Sequence, residues 1–200
     1  MPGSSEYAAP LVISWRKDGR MRVCIDYKRV NKVVERDHSP LPLIEDTDDA
    51  TADSVVHTVL DLKDGFFHVD VDEESQKYLS FVTSWGQYIP KKAPFGFTNS
   101  PPVFQDYIRY IFRALIAPGI LVIFMDDLFI KAKNLQEALE RLRMVLEIAA
   151  RHGLQFNWKK CQIMQRRVEF LGYIIENGTI TPASGKIDAL VDYPRPSTQK

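Results

Sequence analysis

The sequence predicts an α+β fold built on antiparallel sheet. Short β-prone runs recur along the chain with tight-turn signals between several of them. Two long amphipathic segments interrupt these runs, and neither internal repeats nor low-complexity stretches occur. Strands and helices that alternate mostly through hairpins favour α+β over a parallel doubly wound sheet.

Taken in order, "LVISW" and "MRVCID" flank "RKDGR", whose Asp18-Gly19 pair predicts a hairpin. "SPLPLIED" is a proline-punctuated connection into a short helix ending near Ala50, followed by the apolar "VVHTVLDL", a buried strand. "YLSFVT" and "GQYIP" form a further hairpin around Trp85-Gly86. From Asn99, Val103, Tyr107, Tyr110, Ile111 and Leu115 recur at spacings of three and four, with prolines at the start, predicting a core helix. Leu135 to His152 predicts a second helix, with Asn134 as its cap, Glu137 closing a capping box and Gly153 ending it. "LQFNW", "KCQIM" and "EFLGYII" follow, then an Asn177-Gly178 turn and an amphipathic piece before Pro194.

With 200 residues, 45% of them hydrophobic and 11% aromatic, the chain can bury a sizeable core, which argues against disorder. The longest apolar run, Ile120 to Met125, is far short of a membrane span, and the N-terminus carries no signal-peptide pattern. A soluble, intracellular protein without a membrane partner is expected. Cys24 and Cys161 lie far apart and the four histidines are scattered, so reduced thiols and no zinc site are expected. Net charge is zero, but unevenly distributed: residues 45–74 hold eleven acidic side chains against Lys63 alone, whereas residues 151–173 hold five basic ones against Glu169. The first stretch suits cations and the second phosphates.

"ILVIFMDDLFIKAK" sets Asp126 and Asp127 between two β-prone runs, at or beside a hairpin turn where Asp tolerates unusual dihedrals. An acidic solvent turn is the ordinary reading, but the apolar flanks describe a strand central in a sheet, where uncompensated carboxylates are depleted. Asp61 ends "VVHTVLD" in the same way, with no arginine nearby in sequence. Strands side by side would bring Asp61 and Asp126 together, and such a pair either shares a proton or holds a cation. Magnesium suits carboxylate oxygens completed by water and substrate phosphates, and two such ions suit phosphoryl transfer.

The ordered blocks "DGRMRVCIDYKRVN", "PLPLIED", "LDLKDGFFHV", "APFGFTNSPPVFQ", "FMDD" and "EFLGYII" closely resemble the reverse transcriptase of LTR retrotransposons, particularly the gypsy type, across nearly the whole chain. The resemblance implies a polymerase right hand. An N-terminal tail (1–10) would precede fingers in two parts (11–53 and 78–112) and palm in two parts (54–77 and 113–181), with a linker toward a thumb from 182. It implies an RNA- and DNA-directed DNA polymerase that joins a deoxynucleoside triphosphate to a primer 3′-hydroxyl. Asp61, Asp126 and Asp127 would be catalytic, with Asp61, Asp126 and Leu62 contacting two Mg2+ ions, or Mn2+. Template with primer, RNA or DNA, and dNTPs are the implied partners, with the other Pol domains (ribonuclease H, integrase, protease) if the chain is part of a polyprotein.

The same resemblance gives Arg22 and Lys17 the triphosphate, although both also suit an ordinary exposed hairpin. Phe66 would lie under the sugar and exclude a 2′-hydroxyl, or else be an ordinary core ring. Phe95 and Gly96 would line the nucleotide pocket, with Phe95 equally suited to a core. Phe124 and Met125, together with Phe170, Leu171, Gly172 and Tyr173, would hold the primer end; for the last four the alternative is a plain amphipathic hairpin. The chain departs from the family at Phe124, where tyrosine is usual, and at Phe97 and Pro102, where leucine and alanine are commoner. Set against the family, the usual approach segment and thumb are expected to fall outside these 200 residues, which are then expected to fold but to be poorly processive or inactive by themselves. Two rival readings are a catalytically silent retroelement remnant that keeps only nucleic-acid affinity and a small sheet-based RNA-binding module, which would display stacking aromatics rather than carboxylates.

Overall fold

The computed structural model describes residues 1–15, 19, 21–37, 39 and 54–183. Lys17, the helix expected before Ala50 and the segment beyond Ala183 lie outside the described residues, and for Arg22 only the backbone position is described. Two compact units make up the chain, Met1–Leu41 with Asp64–Ile111 and Pro42–Lys63 with Phe112–Lys200.

In the first unit, β1 (Ala9–Trp15) and β2 (Met21–Ile25) form the expected antiparallel hairpin. β4 (Phe81–Thr83) and β5 (Gly86–Tyr88) form the second, with Trp85 and Gly86 at its turn. The two hairpins join through a parallel pairing of Ala9 with Phe81 and Pro10 with Val82, which departs from the otherwise antiparallel plan. Ala9, Tyr27 and Leu79 form the core here, packed by Ile25, Val30, Val71, Phe81 and Phe97. The Tyr27 hydroxyl is buried, and it donates to the Leu79 carbonyl at 2.6 Å, satisfying the one polar atom the ring brings inside. The four-residue α1 (Glu73–Gln76) is capped by Asp72, whose carboxylate accepts from Glu74 N–H.

Helix α2 (Ser100–Ile116) runs from the first unit into the second. Its buried side chains are Phe104, Ile108, Ile111, Phe112 and Leu115, whereas Val103 and Tyr110 are exposed. Ile111 and Leu115 are thus in the core as expected, whereas Val103 and Tyr110 of the expected face are not. Phe104, Ile108 and Phe112 recur every four residues, and this stripe takes precedence over the one drawn through Val103 and Tyr110, whose hydroxyl favours water.

In the second unit, β3 (Val56–Asp61), β6 (Leu121–Phe124), β7 (Asp127–Ala132) and β8 (Gln162–Gln165) form a sheet in the order β6-β7-β3-β8. β9 (Arg167–Phe170), β10 (Tyr173–Glu176) and β11 (Thr179–Pro182) form a smaller one. Asn177 and Gly178 close the β10–β11 turn with φ of 50° and 72°, as an Asn-Gly turn requires. Side chains alternate faces along a strand, so His57, Val59 and Asp61 share one face of β3. Val59 on that face packs with Phe129, Val168, Phe170 and Ile175, joining both sheets in one core. The opposite face carries Val56, which packs with Ala132 and with Ala138 of α3 (Leu135–Arg151). Asn134 caps α3 through its side-chain oxygen, which accepts from Glu137 N–H at 2.9 Å. Glu137 in turn accepts from the backbone of Lys133 at 2.6 Å, one residue earlier than a standard capping box. Ala138, Leu142, Val145 and Ala149 are its buried stripe.

Among the described residues no helix is long and apolar enough to cross a membrane. Both cysteines are free thiols.

Candidate active site

The carboxylates stand at one end of the β3–β7 ladder. Register pairs Val59 with Phe129, Leu60 with Leu128 and Asp61 with Asp127. Asp61 and Asp127 thus extend the face whose inner rows are Val59 and Phe129, where packing ends and polar groups begin. Asp126 lies in the two-residue connection between Phe124 and Asp127, with its Oδ1 buried and its carbonyl accepting from Leu62 N–H at 2.7 Å. The direct cross-strand partner of Asp61 is Asp127, with Asp126 beside it in the turn. Met125, not an aspartate, takes the left-handed backbone of this turn, at φ 53°. An unbranched residue tolerates that conformation better than a β-branched one.

The turn after α3 completes the site. Leu62 bridges Phe156 in antiparallel fashion, Lys63 N–H donates to the Gln155 carbonyl at 2.8 Å, and Asn157 N–H donates to the Asp61 carbonyl at 2.8 Å. The backbone of Lys160 donates to the Asn157 carbonyl at 2.8 Å, and Cys161 Sγ lies 3.5 Å from Asp61 N, within reach of that N–H. This frame delivers Lys160 Nζ to 2.9 Å from Asp61 Oδ2. Asp61 therefore does have a basic partner, ninety-nine residues away and invisible to a search of its sequence neighbours. The only sequence signal for it was the basic composition of the stretch from Arg151.

Burial, reinforced by the Asp61 charge and partly offset by Lys160, holds the Asp127 carboxyl above its ordinary range. Burial pushes the Cys161 thiol up, and the nearby Asp61 and Asp127 carboxylates add to this, which keeps the sulfur protonated and unreactive. Burial lowers His57, whose Nε2 lies 3.0 Å from Ser54 Oγ and whose ring stacks on Phe129. His57 is a neutral core residue.

Among the described residues no three His, Cys, Asp or Glu side chains gather as a metal cage. The donor set present is a facing pair of hard carboxylates that already attracts a cationic group. It suits an ion such as magnesium, which takes one or two carboxylates and completes its octahedron with water and phosphate oxygens. It does not suit zinc, which wants imidazole or thiolate.

The nucleotide-pocket candidates Phe66, Phe95 and Gly96 lie in the first unit. Phe66 lies in a short helical turn, Gly65–His68, with its ring 5.0 Å from Phe95 and 5.6 Å from Phe104. Phe66 and Phe95, predicted from blocks far apart in sequence, are thus brought into contact. Gly96 follows at φ 95°, and its carbonyl accepts from Asn31 Nδ2 at 2.9 Å, while Asn31 Oδ1 accepts from Thr98 N–H at 3.0 Å. Asn31, which the sequence reading passed over, clamps this turn from both sides. In the second unit Phe170, Leu171, Gly172 and Tyr173 form the β9–β10 turn, with Leu171 and Gly172 both at positive φ. Phe170 is buried 5.1 Å from Phe129. Phe124 is partly buried at the edge of the same core.

A sheet that ends in paired carboxylates, with a helix on its other face, defines a polymerase-type palm. Residues 15–175 match the family described as reverse transcriptase (RNA-dependent DNA polymerase), and the chain belongs to that family. It is 32% identical over 90% of its length to the retrovirus-related Pol polyprotein from transposon 297 of Drosophila melanogaster, of which it spans 17%. The foamy viral protease-reverse transcriptase solved with double-stranded DNA matches 98% of this chain at a TM-score of 0.88 and 23% identity, over 34% of its own chain. The foamy viral protein solved with an RNA/DNA hybrid matches the same share at a TM-score of 0.82 and 22% identity, over 26% of its own chain.

Proposed function

We propose that this chain supplies the fingers and palm of an RNA- and DNA-directed DNA polymerase within a gypsy-type retroelement Pol polyprotein. Its reaction is attack of a primer 3′-hydroxyl on the α-phosphate of a deoxynucleoside triphosphate, with pyrophosphate leaving. The observation that carries the reading is the in-register pair Asp61 and Asp127 beside the Asp126 turn. Asp61, Asp126 and Asp127, with Leu62 alongside, hold Mg2+ or Mn2+. Bound ions of this kind neutralise developing charge on the attacking and leaving oxygens. The chain's own contribution is positioning. The β3–β7 ladder fixes the carboxylates, while Phe66, Phe95 and Gly96 shape a nucleotide pocket in which the Phe66 ring excludes a 2′-hydroxyl. Arg22 and Lys17 grip the triphosphate. Phe124, Met125 and the turn from Phe170 to Tyr173 hold the primer end. Template-primer binding is supported by the complexes with double-stranded DNA and RNA/DNA hybrid formed by the foamy viral proteins.

The test is Asp126→Asn in a Pol polypeptide that carries this segment, assayed by primer extension on RNA and DNA templates. Extension should fall by about 100-fold or more, with the circular dichroism spectrum unchanged. Extension within a few-fold of the unsubstituted protein refutes the assignment.

A further inference from the structure

The Lys160 ammonium stands where an incoming cation needs Asp61. Its Nζ is 2.9 Å from Asp61 Oδ2, and the two side chains differ sharply in exposure, 65% for Lys160 against 16% for Asp61. The carboxylate is therefore held in place while the ammonium reaches it from solvent. Its tether is fixed as well: the turn from Asn157 to Cys161 is bound to the end of β3 by Asn157 N–H on the Asp61 carbonyl and by the Leu62–Phe156 bridge. Lys159, the preceding residue in the same turn, is exposed and serves as a natural control. A mobile head on a fixed base can release the carboxylate without any rearrangement of the sheet, at the modest cost of an exposed ion pair.

We propose that Lys160 is a built-in counter-ion for the carboxylate pair, which a divalent ion must displace from Asp61 in order to bind. The Asp61 charge is thereby balanced before metal arrives, and the ammonium is released to solvent on loading. Lys160 is a positioning residue that sets metal affinity. The inference rests on the proposed role of Asp61 as a metal ligand.

The experiment is an isothermal titration of the 200-residue chain with Mn2+, comparing the unsubstituted protein with Lys160→Gln, Lys159→Gln and Asp61→Asn. Lys160→Gln should bind Mn2+ about 3- to 10-fold more tightly, because both the competitor and its positive charge are gone. Lys159→Gln should stay within about twofold, because its ammonium is equally charged but not seated on the carboxylate. A second arm uses no substitution: residue-resolved labelling with an amine-reactive reagent should increase at Lys160 when Mn2+ is added and stay flat at Lys159. A merely structural role would lower the melting temperature of metal-free Lys160→Gln without tightening metal binding. Unchanged or weaker binding in Lys160→Gln, or Lys160 labelling that Mn2+ does not raise, overturns the inference while leaving Asp61 a ligand if Asp61→Asn abolishes binding. Mn2+ binding that survives Asp61→Asn unchanged overturns the metal reading itself, and the inference with it.

Discussion

Gly96→Ala tests the nucleotide-pocket turn through its backbone. Gly96 sits at φ 95°, and an added Cβ would lie 2.6 Å from the Ile25 carbonyl oxygen. That oxygen cannot retreat cheaply, since it terminates β2 and already accepts from Tyr27 N–H at 3.2 Å. The left-handed backbone costs an L-residue about 1–2 kcal/mol. Forcing an extra carbon into a packed contact adds about 1–3 kcal/mol. The expected loss is their sum, about 2–5 kcal/mol, a large share of a typical domain stability of about 5–15 kcal/mol. Gly19→Ala is the internal reference, because Gly19 has φ 77° but nothing within 4 Å of its added Cβ, leaving the backbone cost alone. Native-state hydrogen exchange on the Asn31 and Thr98 amides reads the effect locally, since the first donates to Tyr27 and the second to the Asn31 side chain. Protection at both should fall in Gly96→Ala and hold in Gly19→Ala. Equal losses in the two variants would refute the steric reasoning and leave only the φ effect.

Asp127→Asn bears on pH dependence. The folded carboxyl holds its proton more tightly than the unfolded one, whose pKa is 3.8, so its stabilising contribution is present below that value and lost as pH rises through the raised folded value. The Asn variant should therefore melt higher than the unsubstituted chain at neutral pH, with the advantage vanishing below about pH 3.8 in melts across a pH series; an advantage independent of pH would contradict the cause assigned. Phe66→Ala removes the ring that contacts Phe95 and Phe104, costing about 1–3 kcal/mol for a half-buried aromatic. In a complete Pol polypeptide it should raise ribonucleotide relative to deoxynucleotide incorporation, and equal discrimination by the two proteins would return Phe66 to a purely structural role.

The parts legible in the sequence are those whose physics is local. The Asn134 cap and the Asn177-Gly178 turn each depend on dihedrals and hydrogen bonds within a few residues, and both form as their residues dictate. The strand carrying Asp61 and the hairpin carrying Asp126 and Asp127 were legible for the same reason, from apolar runs interrupted by acids. The sequence alone therefore determined that each of two strands carries carboxylates at its end, and the structure that the two strands are neighbours. It could not determine which carboxylates face each other, because side chains alternate with period two and a one-residue slip exchanges Asp126 for Asp127 opposite Asp61. Pairing along the whole β3–β7 ladder sets that register, through rows such as Val59 with Phe129 that lie far from the acids. The choice of buried face on α2, between two stripes of similar spacing, was likewise made by packing. Lys160 is the clearest case: nothing near Asp61 in sequence announces it, and only backbone pairing of the Gln155–Asn157 segment with the end of β3 brings its ammonium to the carboxylate. Charge composition supplied a cation somewhere in the later part of the chain, and tertiary structure decided which one and where, because long-range pairs depend on strands that meet only after the chain has folded.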